Sequence, residues 1–162
     1  MRRVLLGIVI GLLMGAAGGF AAGIFFYPFI FLNDIVASEE VPDAAARKTV
    51  AKGRFIHANP SDPIHYGKGG VTVYQDLVHI ERDFEVGPGP KYHVYLVAEA
   101  NVTPRSDVAK SRFVDLGRLK AFKGSQNYAV PASVNPADYG SVVVWCEQFS
   151  VLISPAALNR VQ

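Results

Sequence analysis

The stretch SVVVWCEQFSVLI, residues 141–153, has the strongest strand character in the sequence and decides the fold class. It is rich in β-branched and aromatic residues, which are favoured on a pleated, half-buried surface. In strict alternation, Cys146 shares one face of this strand with Val142 and Val144, and Trp145 takes the other face. Two polar residues follow Cys146 at once, which indicates that the stretch is not buried along its whole length.

Similar short stretches recur from residue 53 onwards, separated by turn-forming Gly, Pro, Asn and Asp residues. We predict strands at 54–57, 71–75, 77–84, 92–98, 113–116, 127–130 and 141–153, and one helical turn at PAAL, residues 155–158. Closely spaced strands without long helical patterns between them are typical of sandwiches and small barrels. The sequence therefore predicts an all-β domain over residues 53–162, either an antiparallel β-sandwich or a small barrel.

The first 32 residues have a different character. After Arg2 and Arg3, no charged residue occurs from Val4 to Leu32. A helix needs about 20 apolar residues to cross a membrane, so we predict one transmembrane helix in residues 1–32. The two arginines predict a cytoplasmic N-terminus, with the rest of the chain periplasmic or extracellular, as in a signal-anchor. The alternative is a cleaved signal peptide, whose apolar region usually has only about 7–15 residues.

Five glycines recur at every fourth position of this helix: Gly7, Gly11, Gly15, Gly19 and Gly23. Small residues at this spacing let two helix backbones approach each other closely. The pattern therefore predicts self-association of the helix, or docking on a partner helix, in the lipid bilayer. The alternative is that the pattern only reflects the high glycine content of membrane helices.

Residues 33–52 are polar and alanine-rich, and they predict a juxtamembrane linker, a stalk with a short helix after Pro42. The whole chain has a formal net charge of +2. Arg2 and Arg3 account for this excess, so the exported part is neutral. Nucleic-acid binding requires a basic face with interleaved aromatic residues, and we expect no nucleic-acid partner.

The reactive side chains are one cysteine, Cys146, and four histidines. A single cysteine excludes an intrachain disulfide, a Cys-x-x-Cys redox motif and covalent haem attachment. Phosphate-loop, nucleophile-elbow and zinc-hydrolase motifs are missing from the sequence, which favours a redox or binding module over a stand-alone enzyme. Cys146 is either a small packed hydrophobe or a thiol that binds a metal group or undergoes oxidation. Among the histidines, His65 beside a glycine-rich loop is the best functional candidate.

Several segments of residues 53–158 follow the order of a known family: GRF at 53–55, HYGKGGVTV at 65–73, DF at 83–84, GPGPKYHVYL at 87–96, LGRLK at 116–120, GSQNY at 124–128, Pro131, VVWCEQF at 143–149 and AAL at 156–158. In these segments the chain resembles the DM-thirteen domain family, a small β-rich module described as an electron-transfer domain. The resemblance implies that Cys146 occupies the family's hallmark cysteine position, proposed to be redox-active as a bare thiol or as a ligand of a group such as haem. It also implies that His65 is the histidine before the glycine-rich turn and that His93 lies in the strand after the Gly-Pro loop.

Two functions are therefore expected. The first is a membrane-anchored extracytoplasmic redox accessory module in which Cys146 is the reactive or ligating group, with His65 and His93 as further candidate ligands. Its cofactor is haem, another metal group or none, and its partner is an unidentified redox protein. The second is a non-catalytic binding or assembly module of the cell envelope, with an envelope partner and a structural Cys146. A solvent-accessible Cys146 within ligand reach of His65 or His93 would favour the first function.

Overall fold

The computed structural model describes residues 2–27, 30–31 and 35–161. In these residues a long helix, α1 (Arg2–Tyr27), precedes ten strands. The strands are β1 (Val36–Ser38), β2 (Thr49–Phe55), β3 (Gly67–Tyr74), β4 (Leu77–Ile80), β5 (Glu85–Val86), β6 (Tyr92–Val97), β7 (Phe113–Arg118), β8 (Lys123–Ala129), β9 (Ser141–Cys146) and β10 (Val151–Arg160). The predicted boundary between anchor and linker, at residues 32 and 33, lies outside the described residues.

All ten strands belong to one sheet, in the order β1-β8-β4-β3-β2-β10-β9-β6-β7, and the short β5 pairs with β3 and β8. Neighbours are antiparallel, except that β1 and β8 are parallel. Between β1 and β7, the two ends of this order, the described residues form no closed barrel. The predicted mostly β fold after a single long apolar helix is confirmed, and the sheet is open.

Apolar side chains form two clusters, one on each side of β6 and β9. The larger cluster lies inside the sheet and joins distant strands, as shown by Val71, Tyr128 and Val144 from β3, β8 and β9. The smaller cluster consists of Tyr95, Val97, Val102, Val108, Val143, Trp145 and Leu152. Two of its members come from the loop between β6 and β7, which therefore covers the outer side. We call these sides the inner and outer faces. Strand β9 places Cys146 inside and Trp145 outside, as its alternation predicts.

The stretch 141–153 is two strands and not one, so this part of the prediction is wrong. Strand β9 ends at Cys146, residues 147–150 form a turn, and β10 begins at Val151, which pairs with Cys146. Ser150 closes the turn with a φ of 52°. The predicted strand 77–84 also ends early, at Ile80, before a second turn. Apolar residues resume after both turns, so the sequence pattern does not reveal where the chain reverses.

Two predicted helical segments take other forms. The helical turn expected at 155–158 is wrong, because these residues lie in β10 and are held between β2 and β9. The helix expected after Pro42 is reduced to one 3-10 turn, Ala44–Ala46, that follows Asp43 in the left-handed region. The segments on either side of this turn pair with the sheet, as β1 and the start of β2. The described part of the predicted linker, residues 35–52, therefore contributes strands to the domain.

Helix α1 is long and apolar enough to cross a membrane. Its 26 residues extend over about 39 Å at about 1.5 Å per residue, whereas the hydrocarbon core is about 30 Å thick. Its residues are exposed, and a Cβ built on any of the five glycines of the predicted stripe would meet open space. A lipid bilayer is an environment in which such an exposed apolar surface is stable. A single-pass span and a signal sequence both fit these features.

Candidate functional site

Cys146 is the last residue of β9 and points into the inner cluster. Only 1% of the residue is exposed. Its thiol donates a hydrogen bond to the Pro90 carbonyl, with Sγ and O 3.3 Å apart. In the turn after β9, the backbone N–H groups of Gln148 and Phe149 lie near enough to the sulfur to lower the pKa of the thiol. The sulfur is therefore enclosed, but polar backbone groups surround it.

The loop Gly-Pro-Gly-Pro at 87–90, between β5 and β6, covers Cys146. Its two glycines are buried. A Cβ on Gly87 would lie 2.2 Å from the Ile64 carbonyl oxygen, and a Cβ on Gly89 would lie 2.2 Å from the Tyr92 hydroxyl. Since real Cβ atoms do not approach other atoms this closely, a side chain at Gly87 would displace backbone at Ile64, and one at Gly89 would displace the Tyr92 side chain. We call residues 87–90 the cover loop.

The environment of Cys146 favours its neutral form. Burial raises the pKa of the thiol, the two turn N–H groups oppose this effect, and the Glu147 carboxylate raises the pKa further. Burial also raises the pKa of Tyr92, which pairs with Cys146 across β6 and β9. A covered, protonated thiol is a poor nucleophile. Reaction at this sulfur therefore requires a movement that uncovers it.

The surroundings of Cys146 do not fit a haem bound through its sulfur. An axial ligand needs an open direction from Sγ toward the iron and a slot for the macrocycle beside it. Here the Pro90 carbonyl, the turn after β9 and the inner cluster occupy the space around the sulfur. A haem on this side would displace the cover loop, so a bare thiol is the form of site that these residues fit.

His93 belongs to a second polar group, on the outer face. Across β6 and β9, His93 pairs with Trp145 while Tyr92 pairs with Cys146, so the pleat directs His93 away from the sulfur. His93 Nδ1 lies 3.0 Å from Asp115 Oδ2, and His93 Nε2 lies 3.5 Å from Glu147 Oε2. We call His93, Asp115 and Glu147 the carboxylate–histidine cluster. One ligand atom from each residue lies within 4.8 Å of the other two.

A β-bulge places Asp115 beside His93. The register between β6 and β7 shifts, so that Tyr95 pairs with Asp115 but His93 pairs with Arg118. Gly117, in the extra length, has a φ of 115°, which L side chains rarely adopt, and its N–H donates to Asp115 Oδ1 at 2.8 Å. Bulges commonly redirect a side chain next to functional sites. Here the bulge fixes the carboxylate against the imidazole.

Two neighbours hold Glu147 in place. The Tyr95 hydroxyl donates to Glu147 Oε1 at 2.9 Å, and Lys91 Nζ lies 3.1 Å from Oε2. These two contacts, the Tyr95 hydrogen bond first, hold the pKa of Glu147 below its usual range. The Tyr95 ring stacks on Phe113 with a centroid distance of 4.6 Å, which fixes the direction of the hydroxyl. Glu147 is therefore an ionised carboxylate in a fixed orientation.

His65 lies in the loop between β2 and β3 and pairs with Asp62. Its Nδ1 is 2.6 Å from Asp62 Oδ2, and the N–H groups of Ile64 and His65 donate to Oδ1. The hydrogen bonds from His65 lower the pKa of Asp62 to about 2. Asp62 and His65 line a cleft of about 150 Å³ together with Trp145. Trp145 faces away from Cys146, so this cleft belongs to the outer face.

The structure does not bring Cys146, His65 and His93 to one site. The sulfur is enclosed inside, whereas the two histidines pair with different carboxylates outside. The other histidines have local partners: His57 Nε2 lies 2.8 Å from the Asp62 carbonyl, and His79 Nδ1 lies 2.7 Å from Asn127 Oδ1. A ligand set shared by the three candidates has no geometric support. The individual roles of Cys146, His65 and His93 stay predictions.

Sequence reasoning misses Asp115 and treats Glu147 only as a polar residue at the end of a strand. Asp115 lies 22 positions from His93 along the chain, and only the pairing of β6 with β7 brings them together. One local signal exists, the Asp-Leu-Gly sequence at 115–117, because a glycine inside a strand pattern indicates a bulge.

A family model described as electron transfer DM13 matches residues 61–158. This range contains more than half of the chain, including His65, His93 and Cys146. The chain belongs to the electron transfer DM13 family. The resemblance seen in the sequence is confirmed. Strands β1 and β2 precede the matched range but pair with β8, β3 and β10, so they complete the sheet of this DM13 domain. No curated protein and no solved structure gives a significant match to the chain.

Proposed function

We propose that the chain is a redox accessory module held by α1 in the cell membrane, with its DM13 domain periplasmic or extracellular and Cys146 as its reactive thiol. The family description supports electron-transfer chemistry, and Cys146 is the only cysteine. The hydrogen bond from the Cys146 thiol to the Pro90 carbonyl is the observation that carries the proposal, because it places the sulfur directly beneath the cover loop. The backbone N–H groups of Gln148 and Phe149 lower the pKa of the thiol, which favours the negative charge that develops as a thiol becomes a thiolate or sulfenate.

A lone thiol limits the possible chemistry. A peroxide oxidises it by two electrons, so that Cys146–SH and H2O2 give Cys146–SOH and water. Alternatively, the thiolate attacks a partner disulfide, forms one new S–S bond and releases one partner thiol. Since the chain has no second cysteine, either product returns to the thiol only through a thiol from another molecule. A redox partner is therefore part of the proposal.

The cover loop is the element that must move. Its Gly87 N–H donates to the Tyr66 carbonyl at 3.1 Å, and its Pro90 carbonyl accepts the Cys146 hydrogen bond. Pro88 and Pro90 have no amide hydrogen with which to hold the loop. Displacement of the loop removes the Pro90 carbonyl from the sulfur and opens a path to it.

The cover loop lies at the end of the domain where the chain arrives from α1. Ile35 lines a small cleft together with Gly89 and Tyr92. Ile35 follows Tyr27, the last residue of α1, by eight positions, and eight residues extend over at most about 29 Å. With α1 in the bilayer, the cover loop therefore lies within reach of the membrane surface. This position supports a redox partner that is itself in or at the membrane.

Trapping of sulfenic acid in the full chain tests the proposal. The purified chain in detergent micelles is treated with H2O2 and a dimedone-type probe, and the adduct is measured by mass spectrometry. We expect up to one adduct per folded chain, located at Cys146, and none in Cys146→Ala, the blank that a single-cysteine chain provides. Adduct formation only after unfolding in denaturant would contradict the proposal.

The alternative is a binding or assembly module of the cell envelope in which Cys146 is structural. The burial of Cys146 in the inner cluster favours this function. It predicts that Cys146→Ala lowers the free energy of unfolding by about 1–2 kcal/mol and leaves partner binding unchanged. In that case the thiol stays reduced in the folded chain under oxidant.

A further inference from the structure

We propose that the carboxylate–histidine cluster of His93, Asp115 and Glu147 binds a divalent first-row transition-metal ion. This site is on the outer face, and it does not depend on the redox role proposed for Cys146.

The ligand chemistry of the cluster fits such an ion. One imidazole and two carboxylates are ligands of zinc, manganese, iron and copper in proteins. One atom from each side chain lies within 4.8 Å of the other two. Since ligand atoms of one ion at about 2.0–2.2 Å are at most about 4.4 Å apart, small side-chain rotations bring the three groups onto a shared ion. Two carboxylates flank the two nitrogens of one imidazole, and Lys91 is the cation that contacts Glu147 Oε2. A divalent ion would neutralise the negative charges of both carboxylates at once.

The cluster is built on rigid elements and supported by neighbouring groups. His93 comes from β6, Asp115 from β7, and Glu147 from the turn directly after β9. The bulge at Gly117 orients Asp115 through a backbone N–H, and the Tyr95 hydroxyl orients Glu147. Such supporting hydrogen bonds to ligand side chains are a regular feature of metal sites. They hold Asp115 Oδ2 and Glu147 Oε2 toward the imidazole.

An ion can reach this site from solvent. The exposed fractions of the His93, Asp115 and Glu147 side chains are 17%, 39% and 26%. The site is thus partly enclosed but open at β7, which lies at the end of the sheet. Water molecules can complete the coordination on the open side, as in sites with three protein ligands.

Removal of the Lys91 charge distinguishes a metal site from an ion-pair network without a metal. Its ammonium lies 3.1 Å from Glu147 Oε2, the oxygen that faces His93. In a metal site Lys91 competes with the ion, so removal of its charge strengthens metal binding. In a plain network Lys91 supports the cluster, and its removal creates no affinity for metal.

The test is a Co²⁺ and Zn²⁺ titration of the full chain in detergent micelles. Trp145 is the single tryptophan and pairs directly with His93, so its fluorescence reports an ion at this cluster. We expect saturable quenching of the Trp145 fluorescence by one equivalent of Co²⁺, and recovery of the fluorescence when Zn²⁺ displaces the Co²⁺.

The variants test which side chains bind the ion. His93→Gln and Glu147→Gln are expected to weaken Co²⁺ binding at least about tenfold, and Lys91→Met is expected to strengthen it a few-fold. His79→Gln is the matched control, since His79 contacts Asn127 on β8, and its binding is expected to equal that of the unmodified chain.

Three results would overturn the proposal. The first is an absence of saturable quenching in the unmodified chain. The second is equal affinity in His93→Gln and the unmodified chain. The third is a Co²⁺ spectrum with a sulfur charge-transfer band that disappears in Cys146→Ala, which places the ion at the thiol. If a variant fails to fold, the NMR signals of the unmodified chain test the site instead. Bound Co²⁺ must broaden the ring signals of His93 and leave those of His79 unchanged, and the opposite result would overturn the proposal.

Discussion

The two faces of β9 place chemically active groups in opposite environments. On the inner face, Cys146 is enclosed by the cover loop and the inner cluster, and its pKa is raised by burial. On the outer face, Glu147 joins His93 and Asp115 in a partly open group. The pKa of the Glu147 carboxylate is lowered, so this side chain is ionised. The cysteine that is most conspicuous in the sequence is therefore less accessible to solvent than the carboxylate–histidine cluster. The open site is assembled from residues that are distant in sequence.

The largest predicted effect is a difference in the free energy of unfolding between variants of the two faces, because only the inner face is tightly packed. Phe84 is 2% exposed inside, whereas Phe113 is 37% exposed and stacks on Tyr95 outside. Phe84→Ala is expected to lower the free energy of unfolding by about 3–5 kcal/mol, because it leaves a cavity in a packed core. Phe113→Ala is expected to cost about 1 kcal/mol. Denaturant unfolding of both variants measures the difference, and equal losses would remove the distinction between the faces.

The next effect concerns access to the sulfur. The folded chain is expected to react with a small alkylating reagent at least about 100-fold more slowly than the chain unfolded in denaturant, because reaction requires opening of the cover loop. The measurement is the rate of mass increase at Cys146, corrected with free cysteine in the same denaturant. Equal rates in the folded and unfolded chains would show that Cys146 is as accessible to solvent as the carboxylate–histidine cluster.

A smaller effect is expected from the bulge that orients Asp115. Gly117→Ala introduces a side chain at a φ of 115°, although open space surrounds the position. The backbone strain is expected to lower the free energy of unfolding by about 1–3 kcal/mol. It also moves Asp115 away from His93 while Cys146 keeps its alkylation rate. The alkylation rate of Cys146 and the Co²⁺ affinity of the carboxylate–histidine cluster are measured in the same variant. Comparable changes in both would show that the two faces are coupled.

The smallest effect is a pH dependence of folding at Asp62. His65 lowers the pKa of Asp62 to about 2 from an ordinary value of 3.8. The carboxylate therefore contributes stability that is present above pH 3.8 and is lost as the pH falls toward 2. We expect a loss of about 1–2 kcal/mol over this range, which Asp62→Asn abolishes by removing the titrating group. Identical acid unfolding curves for the two chains would contradict this assignment.

Local sequence patterns predict much of the fold. The β-branched and aromatic stretches identify most strands, and the run of apolar residues identifies α1. Strand β1 has only three residues, and its pairing with β8 is what makes it a strand. The reversal after Cys146 is hidden because apolar residues continue beyond it. These features depend on tertiary contacts that local propensity does not contain.

The candidate sites were predictable only in part. The sequence singles out Cys146, but its burial depends on a loop whose glycines touch Ile64 and Tyr92. The pairing of Asp62 with His65 is local, at a spacing of three residues. The contact of His93 with Asp115 depends instead on the register of β6 with β7, including the bulge. No sequence periodicity specifies that register.

Displacement of the cover loop is expected to raise the oxidation rate of Cys146. Gly87→Ala forces a Cβ within 2.2 Å of the Ile64 carbonyl oxygen, so the cover loop and the segment at Ile64 must separate. Gly140→Ala is the matched control, because its Cβ meets the Ala100 backbone at 2.7 Å, away from the cover loop. In the folded full chain, we predict that H2O2 forms sulfenic acid at least about tenfold faster in Gly87→Ala than in Gly140→Ala and the unmodified chain. Equal rates in all three would contradict a redox thiol under a movable cover loop.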